Sequence, residues 1–333
     1  MLPLTAHRLA PRVASRIAAQ FLLRCLRQIG DMFDGNVKLG VAFLTIAQST
    51  CLSPSLQADE RYAGIRAMSA SLGIPYETMR RYVVELVEAG MCERCGKGGV
   101  AVASTAHARQ AVADVHSIVL EQFLQMLCEL ENVGFNFAWI RTGTDNFTGG
   151  DDRRAFLMCS AASFLLRLLE VNVPVFNGDV TMVAVWMALA CESVRAVTYN
   201  KDLAWKYGDA DTPIPDELRR PVSVAAVAQS LAMPFETTRR HLARLADRQL
   251  CMRVSRTGFM VPQVIVITNR VDQIGSLIAL RLFQSVAALG RAGFSFPALL
   301  AQAEMAPDGD RNSDVRSAVR AVAPPPQATG PSC

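Results

Sequence analysis

The residues with the most distinctive chemistry are arginines set in pairs behind a proline and an aromatic. One run is Pro75-Tyr76-Glu77-Thr78-Met79-Arg80-Arg81, and the other is Pro234-Phe235-Glu236-Thr237-Thr238-Arg239-Arg240. A guanidinium carries a planar fork of N–H donors that matches phosphate, carboxylate or the acceptor edge of guanine. If Met79, Val83 and Leu86 turn inward on a helix, Tyr76, Glu77, Arg80, Arg81 and Val84 fall on its outer face. The second run presents Phe235, Glu236, Thr237, Arg239, Arg240 and Arg244 in the same way. Further cations follow each run: Arg94 and Lys97 after the first, and Arg253 and Arg256, with Ser255, after the second. The bland reading is a solvated face with intrahelical pairs, such as Glu77 with Arg81.

Local charge separates the two runs. Over 75–99, Arg80, Arg81, Arg94 and Lys97 are balanced by Glu77, Glu85, Glu88 and Glu93. Over 234–258, Arg239, Arg240, Arg244, Arg248, Arg253 and Arg256 face only Glu236 and Asp247. The second run is therefore expected to be the stronger binder of a polyanion. The chain as a whole has 333 residues and a formal charge of +4, too small a surplus to name a partner. Only Lys38, Lys97, Lys201 and Lys206 are lysines, and this arginine bias is read as background usage.

These runs sit inside a duplication. Ala19-Gln20-Phe21-Leu22-Leu23-Arg24 returns 143 residues on as Ala162-Ser163-Phe164-Leu165-Leu166-Arg167, and Gly35-Asn36-Val37 returns as Gly178-Asp179-Val180. Ser71–Arg81 returns 159 residues on as Ser230–Arg240, and Gly134-Phe135-Asn136-Phe137 as Gly293-Phe294-Ser295-Phe296. The change of offset places a 16-residue insertion in the second copy, between Ser193 and Pro221, with Tyr199, Trp205 and Tyr207 in it. The expected organisation is a basic extension over 1–15, a first copy over 16–140, a linker over 141–158, a second copy over 159–300 with its insertion at about 195–220, and a disordered tail over 306–333.

Within the first copy, helical periodicity covers Ile17–Gln28, Val37–Ala47 and Gly64–Leu72. Gly73 suits a turn, Pro75 suits a helix start, and Gly90 suits the helix end. Met91–Arg94, a glycine-rich tip and Val100–Ala103 read as a hairpin, and Ala106–Asn132 as a long helix. In the second copy Ala232 and Gln249 replace the two glycines, while Leu231, Met233, Leu242, Leu245 and Leu250 keep the apolar pattern.

Leu72–Met91 resembles the scaffold and recognition helices of bacterial winged-helix regulators of the MarR-like and GntR-like classes. The resemblance covers about 40 residues in each copy. It implies a mainly α fold of two winged helix-turn-helix units with flanking long helices and small β-hairpin wings. It further implies sequence-specific binding to double-stranded DNA in transcription control. Thr237, Arg239 and Arg240 would carry the main groove contacts, with Arg80 and Arg81 secondary, and Arg244, Arg253, Arg256, Tyr76, Glu77 and Lys97 complete the DNA-binding candidates. The apolar helices at Ile118–Leu130 and Ile278–Leu289 need partners. In MarR-like proteins such helices form a homodimer. One chain with two copies points to an intramolecular pseudo-dimer reading two unequal half-sites about one DNA turn apart, or else to two side-by-side units with no two-fold; a homodimer of the chain is the other partner expected. The alternatives are a plasmid-type replication initiator, which can also carry tandem winged helices, and an interaction scaffold that leaves DNA alone.

Other chemistry finds little support in the residues. Cys92-Glu93-Arg94-Cys95, with His107 and His116 downstream, lacks zinc-finger spacing, so no metal is expected. No Walker A, G-x-S-x-G or G-x-G-x-x-G sequence occurs, and neither an enzyme nor a cofactor is expected. Nine scattered cysteines and no recognisable secretory signal fit a reducing cytoplasm. Residues 1–30 hold five arginines and no acid, a superficial likeness to a transit peptide. No membrane partner is expected, because no uninterrupted apolar run reaches about 18 residues. A helix carrying Met182, Trp186 and Met187 reads as core, and a small-molecule effector is left open.

Overall fold

A computed structural model describes residues 10–51, 62–145, 147–256 and 258–305. The duplication appears as a repeated order of elements. In the first unit, helices α1 (Pro11–Met32) and α2 (Val37–Cys51) precede a short strand, β1 (Ala63–Gly64). Helices α3 (Ile65–Leu72) and α4 (Tyr76–Glu88) follow, then strands β2 (Cys92–Cys95) and β3 (Gly99–Val102), then the long helix α5 (Ala106–Asn132). The second unit repeats this with α6 (Gly150–Asn172), α7 (Val180–Ser193), β4 (Val222–Ser223), α10 (Val224–Ser230), α11 (Phe235–Asp247), β5 (Met252–Arg253), β6 (Gly258–Met260) and α13 (Asn269–Arg291). Helices α8 (Arg195–Thr198) and α9 (Lys201–Lys206) form the insertion, α12 (Gln263–Val266) precedes α13, and α14 (Phe296–Met305) closes the described chain.

Local chemistry sets these boundaries. The Thr105 hydroxyl accepts from the Ala108 N–H to start α5, and Asp179 accepts from the N–H groups of Thr181 and Met182 to start α7. Gly73 stops α3 at φ 63°, and Gly90 follows α4 at φ 68°. Their counterparts Ala232 and Gln249 hold the same left-handed backbone at φ 49° and 57°, a strained state for residues with a Cβ. Each unit has a three-stranded antiparallel sheet, in the orders β1-β3-β2 and β4-β6-β5. Ala63 pairs with Val100 and Val222 with Phe259, so each first strand borders the hairpin at equivalent positions.

The centre is four helices packed reciprocally. α1 lies against its own unit's α5 and the other unit's α13, and α6 lies against α13 and α5. Phe21 stacks on Phe164 at 5.5 Å between ring centroids, and Phe137 stacks on Phe296 at 4.8 Å. Each pair consists of a residue and its own counterpart. A side chain meets its counterpart only near an axis that exchanges the copies, so the units are related by an approximate two-fold inside one chain. Their buried side chains form one continuous core.

Several boundaries differ from the expectations. α1 begins at Pro11, so residues 11–15 are helix and not part of an extension. α6 begins at Gly150, inside the expected linker, with Asp151 and Asp152 in its first turn, where the helix dipole favours acids. By length and composition alone, Gly150–Phe176 and Val271–Arg291 are long and apolar enough to cross a bilayer, although charged residues interrupt both. Both supply walls of the central bundle. The expected extension over residues 1–9 and the tail over 306–333 lie outside the described residues.

The two strained turns give a test of opposite signs. Gln249→Gly should stabilise the chain by about 1 kcal/mol, and Gly90→Ala should destabilise it by a similar amount. Urea unfolding checks both. Equal effects of the same sign would contradict the left-handed backbone at these positions.

Candidate nucleic-acid interface

α4 and α11 occupy equivalent places, each held by an apolar stripe. Met79, Val83 and Leu86 are buried on one, and Leu242 and Leu245 on the other. α4 packs on α2, and α11 on α7. Thr238 is also buried, and its hydroxyl donates to the Pro234 carbonyl at 3.2 Å. These anchors turn the arginines outward. Tyr76, Glu77, Arg80 and Arg81 are exposed on α4, and Phe235, Thr237, Arg239, Arg240 and Arg244 on α11. Val84 is half-buried, a correction to its expected place on the outer face.

The exposed cations are partly neutralised along their own helices. On α11, Arg239 Nε and Nη2 donate to the two oxygens of Glu236 at 2.7 and 2.8 Å, and Arg240 Nε donates to the same carboxylate at 3.0 Å. Those hydrogen bonds pull the Glu236 carboxyl down to about 2. One carboxylate thus aligns two arginines and leaves the pair with a net positive charge. On α4, Arg80 donates to Glu77 at 2.8 Å, so the helical partner of Glu77 is Arg80 where Arg81 was expected. The Arg81 guanidinium lies 6.0 Å from the centre of the Tyr82 ring.

The hairpins extend the two faces. In the second unit Arg253 and Arg256 are both exposed, and Arg253 Nη2 donates to the Arg256 carbonyl at 2.5 Å. The Arg253 guanidinium also sits 5.8 Å from the centre of the Phe259 ring. In the first unit Arg94 is exposed on β2, and Lys97 lies in the 3-10 turn between the strands, its side chain outside the described residues. The second unit thus exposes cations both on α11 and on the hairpin that follows it, while those of the first alternate along the sequence with acids.

The remaining sequence candidates have structural employment. Trp205 of the insertion donates its indole N–H to the Val133 carbonyl of the first unit at 2.5 Å. Tyr199 is half-buried, and desolvation pushes its phenol up. The insertion thus straps one unit to the other, with Tyr199, Trp205 and Tyr207 each half-buried. Cys92 is buried at the start of β2, where burial raises its thiol to about 12. His116 lies in the core, with Nδ1 at 2.8 Å from the Val112 carbonyl and Nε2 at 3.2 Å from the Gln48 side-chain oxygen. Trp186 donates to the Leu250 carbonyl at 2.9 Å, a tie between α7 and the end of the α11 segment that periodicity did not reveal.

No protein-family model, curated protein or solved structure matches this chain.

The alignment of Arg239 and Arg240 by Glu236 has a direct readout. The Glu236 carboxyl should remain ionised at pH 4 and take up its proton only as pH falls toward 2. In Arg239→Ala/Arg240→Ala it should titrate in the ordinary carboxylate range, near 4.3. Carbon-detected NMR of the side-chain carboxyl follows both. An unchanged titration in the double variant would show that these arginines do not hold Glu236.

Proposed function

We propose that each unit is a winged helix-turn-helix and that the chain is a sequence-specific DNA-binding transcription regulator. The observation that carries this reading is the outward cationic surface of α11 and its hairpin. It combines Arg239, Arg240 and Arg244 with Arg253 and Arg256, all exposed, on a helix anchored from behind by Leu242 and Leu245. An exposed α-helix fits the major groove, where arginine can pair with guanine or neutralise phosphate. Thr237 stands near the helix start, where short polar side chains and free N–H groups approach a backbone phosphate. The strand orders β1-β3-β2 and β4-β6-β5, with two helices between the first strand and the hairpin, support the winged-helix assignment.

The approximate two-fold supports a chain that supplies both halves of a pseudo-dimer. Unlike a homodimer, its halves differ. The second is the strong phosphate binder, and the first contributes Tyr76, Glu77, Arg80, Arg81 and Lys97 on a face with no net charge. The natural target is therefore a pair of unequal half-sites about one DNA turn apart. A cytoplasmic location goes with this reading.

Fluorescence anisotropy on duplex DNA across a salt series tests it. Native affinity should fall steeply with salt, as counterion release requires. Arg239→Ala/Arg240→Ala should weaken binding at least ~10-fold, or about 1.4 kcal/mol. Salt-independent binding by the native chain, or native affinity in the variant, would overturn the assignment of this face.

A further inference from the structure

α11 begins with an aromatic ring that leaves most of its surface in solvent. Phe235 is the first residue of the helix and is 54% exposed, more than any other aromatic among the described residues. The helix is anchored further along, by Thr238, Leu242 and Leu245, all buried. A helical side chain leans toward the N-terminus of its helix. The Phe235 ring therefore stands over the start of α11, one turn before Arg239.

The repeat puts a second aromatic at the same place, in a different environment. Tyr76 is the first residue of α4 and is also exposed. The guanidinium of Arg66 lies 5.8 Å from the centre of its ring. The 159-residue offset carries Tyr76 to Phe235 and Arg66 to Ala225. The second unit has thus replaced a phenol with a phenyl, and the cation at the related position with a methyl. Both changes make this end of α11 more apolar, even as the unit gains cations elsewhere. Glu236, the next residue, is committed. One of its oxygens accepts from Arg239 and Arg240, and the other from Arg239. A free carboxylate at this point could accept from the amino group of cytosine. Here the carboxylate is held by its own helix, and the ring is the free contact at the leading end.

Given that α11 enters the major groove, the reading on which this rests, we infer that Phe235 reads the 5-methyl group of a pyrimidine, in thymine or in 5-methylcytosine. The N-terminal residues of a recognition helix are the ones that reach base edges. The apolar group that base pairs display in the major groove is the methyl on pyrimidine C5, and a phenyl ring packs on it. Arg239 and Arg240 hold the helix in place through phosphate or guanine. On α4 the Tyr76 ring is already shared with Arg66, so methyl dependence belongs to the half-site of α11. The two half-sites then differ in base preference as well as in strength.

Fluorescence anisotropy on a duplex selected from a random pool tests this. The half-site of α11 is the one whose protection is lost in Arg239→Ala/Arg240→Ala. There, each thymine is replaced singly by deoxyuridine, which removes only the methyl. Each cytosine is replaced singly by 5-methylcytosine, which adds only the methyl. At least one deoxyuridine should weaken native binding about 4-fold, the effect of one methyl taken out of apolar contact, or at least one 5-methylcytosine should strengthen it as much. The first result identifies thymine as the base read, and the second 5-methylcytosine. Phe235→Ala should weaken binding, keep the native salt slope and lose the methyl response. Phe235→Leu, still apolar, should keep part of that response. The inference alone falls if native binding is salt-dependent but no methyl change in this half-site alters it, or if Phe235→Ala responds as the native chain does. If the native chain shows no salt-dependent binding to duplex DNA, the proposed function falls, and this inference with it.

Discussion

The stacking of Phe21 on its own counterpart Phe164 depends on a constraint that shapes the whole molecule. α1 and α6 each carry an apolar face, and much of that face is covered by the helix's own unit's long helix together with that of the other unit. Burial of either first helix therefore draws on both units. The result is one core shared by two repeats, with Phe137 on Phe296 closing the same axis further along. Everything at the periphery is placed by this seam. α2 and α7 pack onto it, α4 and α11 pack onto them, and the hairpins lean on the same supports. The insertion adds a strap through Trp205 and Val133.

On this shared scaffold the two units have diverged in a consistent direction. The first keeps the glycines at its turns, fills its core junction with His116 and Gln48, and balances charge on α4. The second tolerates strain at Ala232 and Gln249, opens a cavity beside Arg16, and gathers cations on α11 and its hairpin. Those departures cost stability in the second unit. Local rules are broken more readily at functional places, and on the proposed reading the second unit is the one that meets DNA most strongly.

The duplication was legible because matched blocks at two offsets survive in the residues themselves, and the step between the offsets located the insertion. α5 was legible from end to end, since Thr105 and the apolar stripe after Ala106 mark it in sequence. The first strands were missed, because Ala63-Gly64 and Val222-Ser223 are two residues long and carry no period. The start of α6 was missed although Asp151 and Asp152 gave an N-terminal signal, which the surrounding Gly and Thr masked. The arginine faces of α4 and α11 followed from helical spacing, but the choice of Arg80 over Arg81 by Glu77 is a matter of rotamers. The cavity beside Arg16 was not legible at all. It requires Arg16, Cys191 and Gly275, from three distant stretches, to meet at one point.

The central claim is that one chain presents two unequal readers across an internal two-fold. Hydroxyl-radical footprinting on a duplex selected from a random pool tests it most directly. The account predicts two protected patches whose centres lie roughly 34–36 Å apart along the helix, one strong and one weak. Arg239→Ala/Arg240→Ala should erase the strong patch first. A single uninterrupted patch, two patches of equal strength, or protection unchanged in the double variant would contradict it.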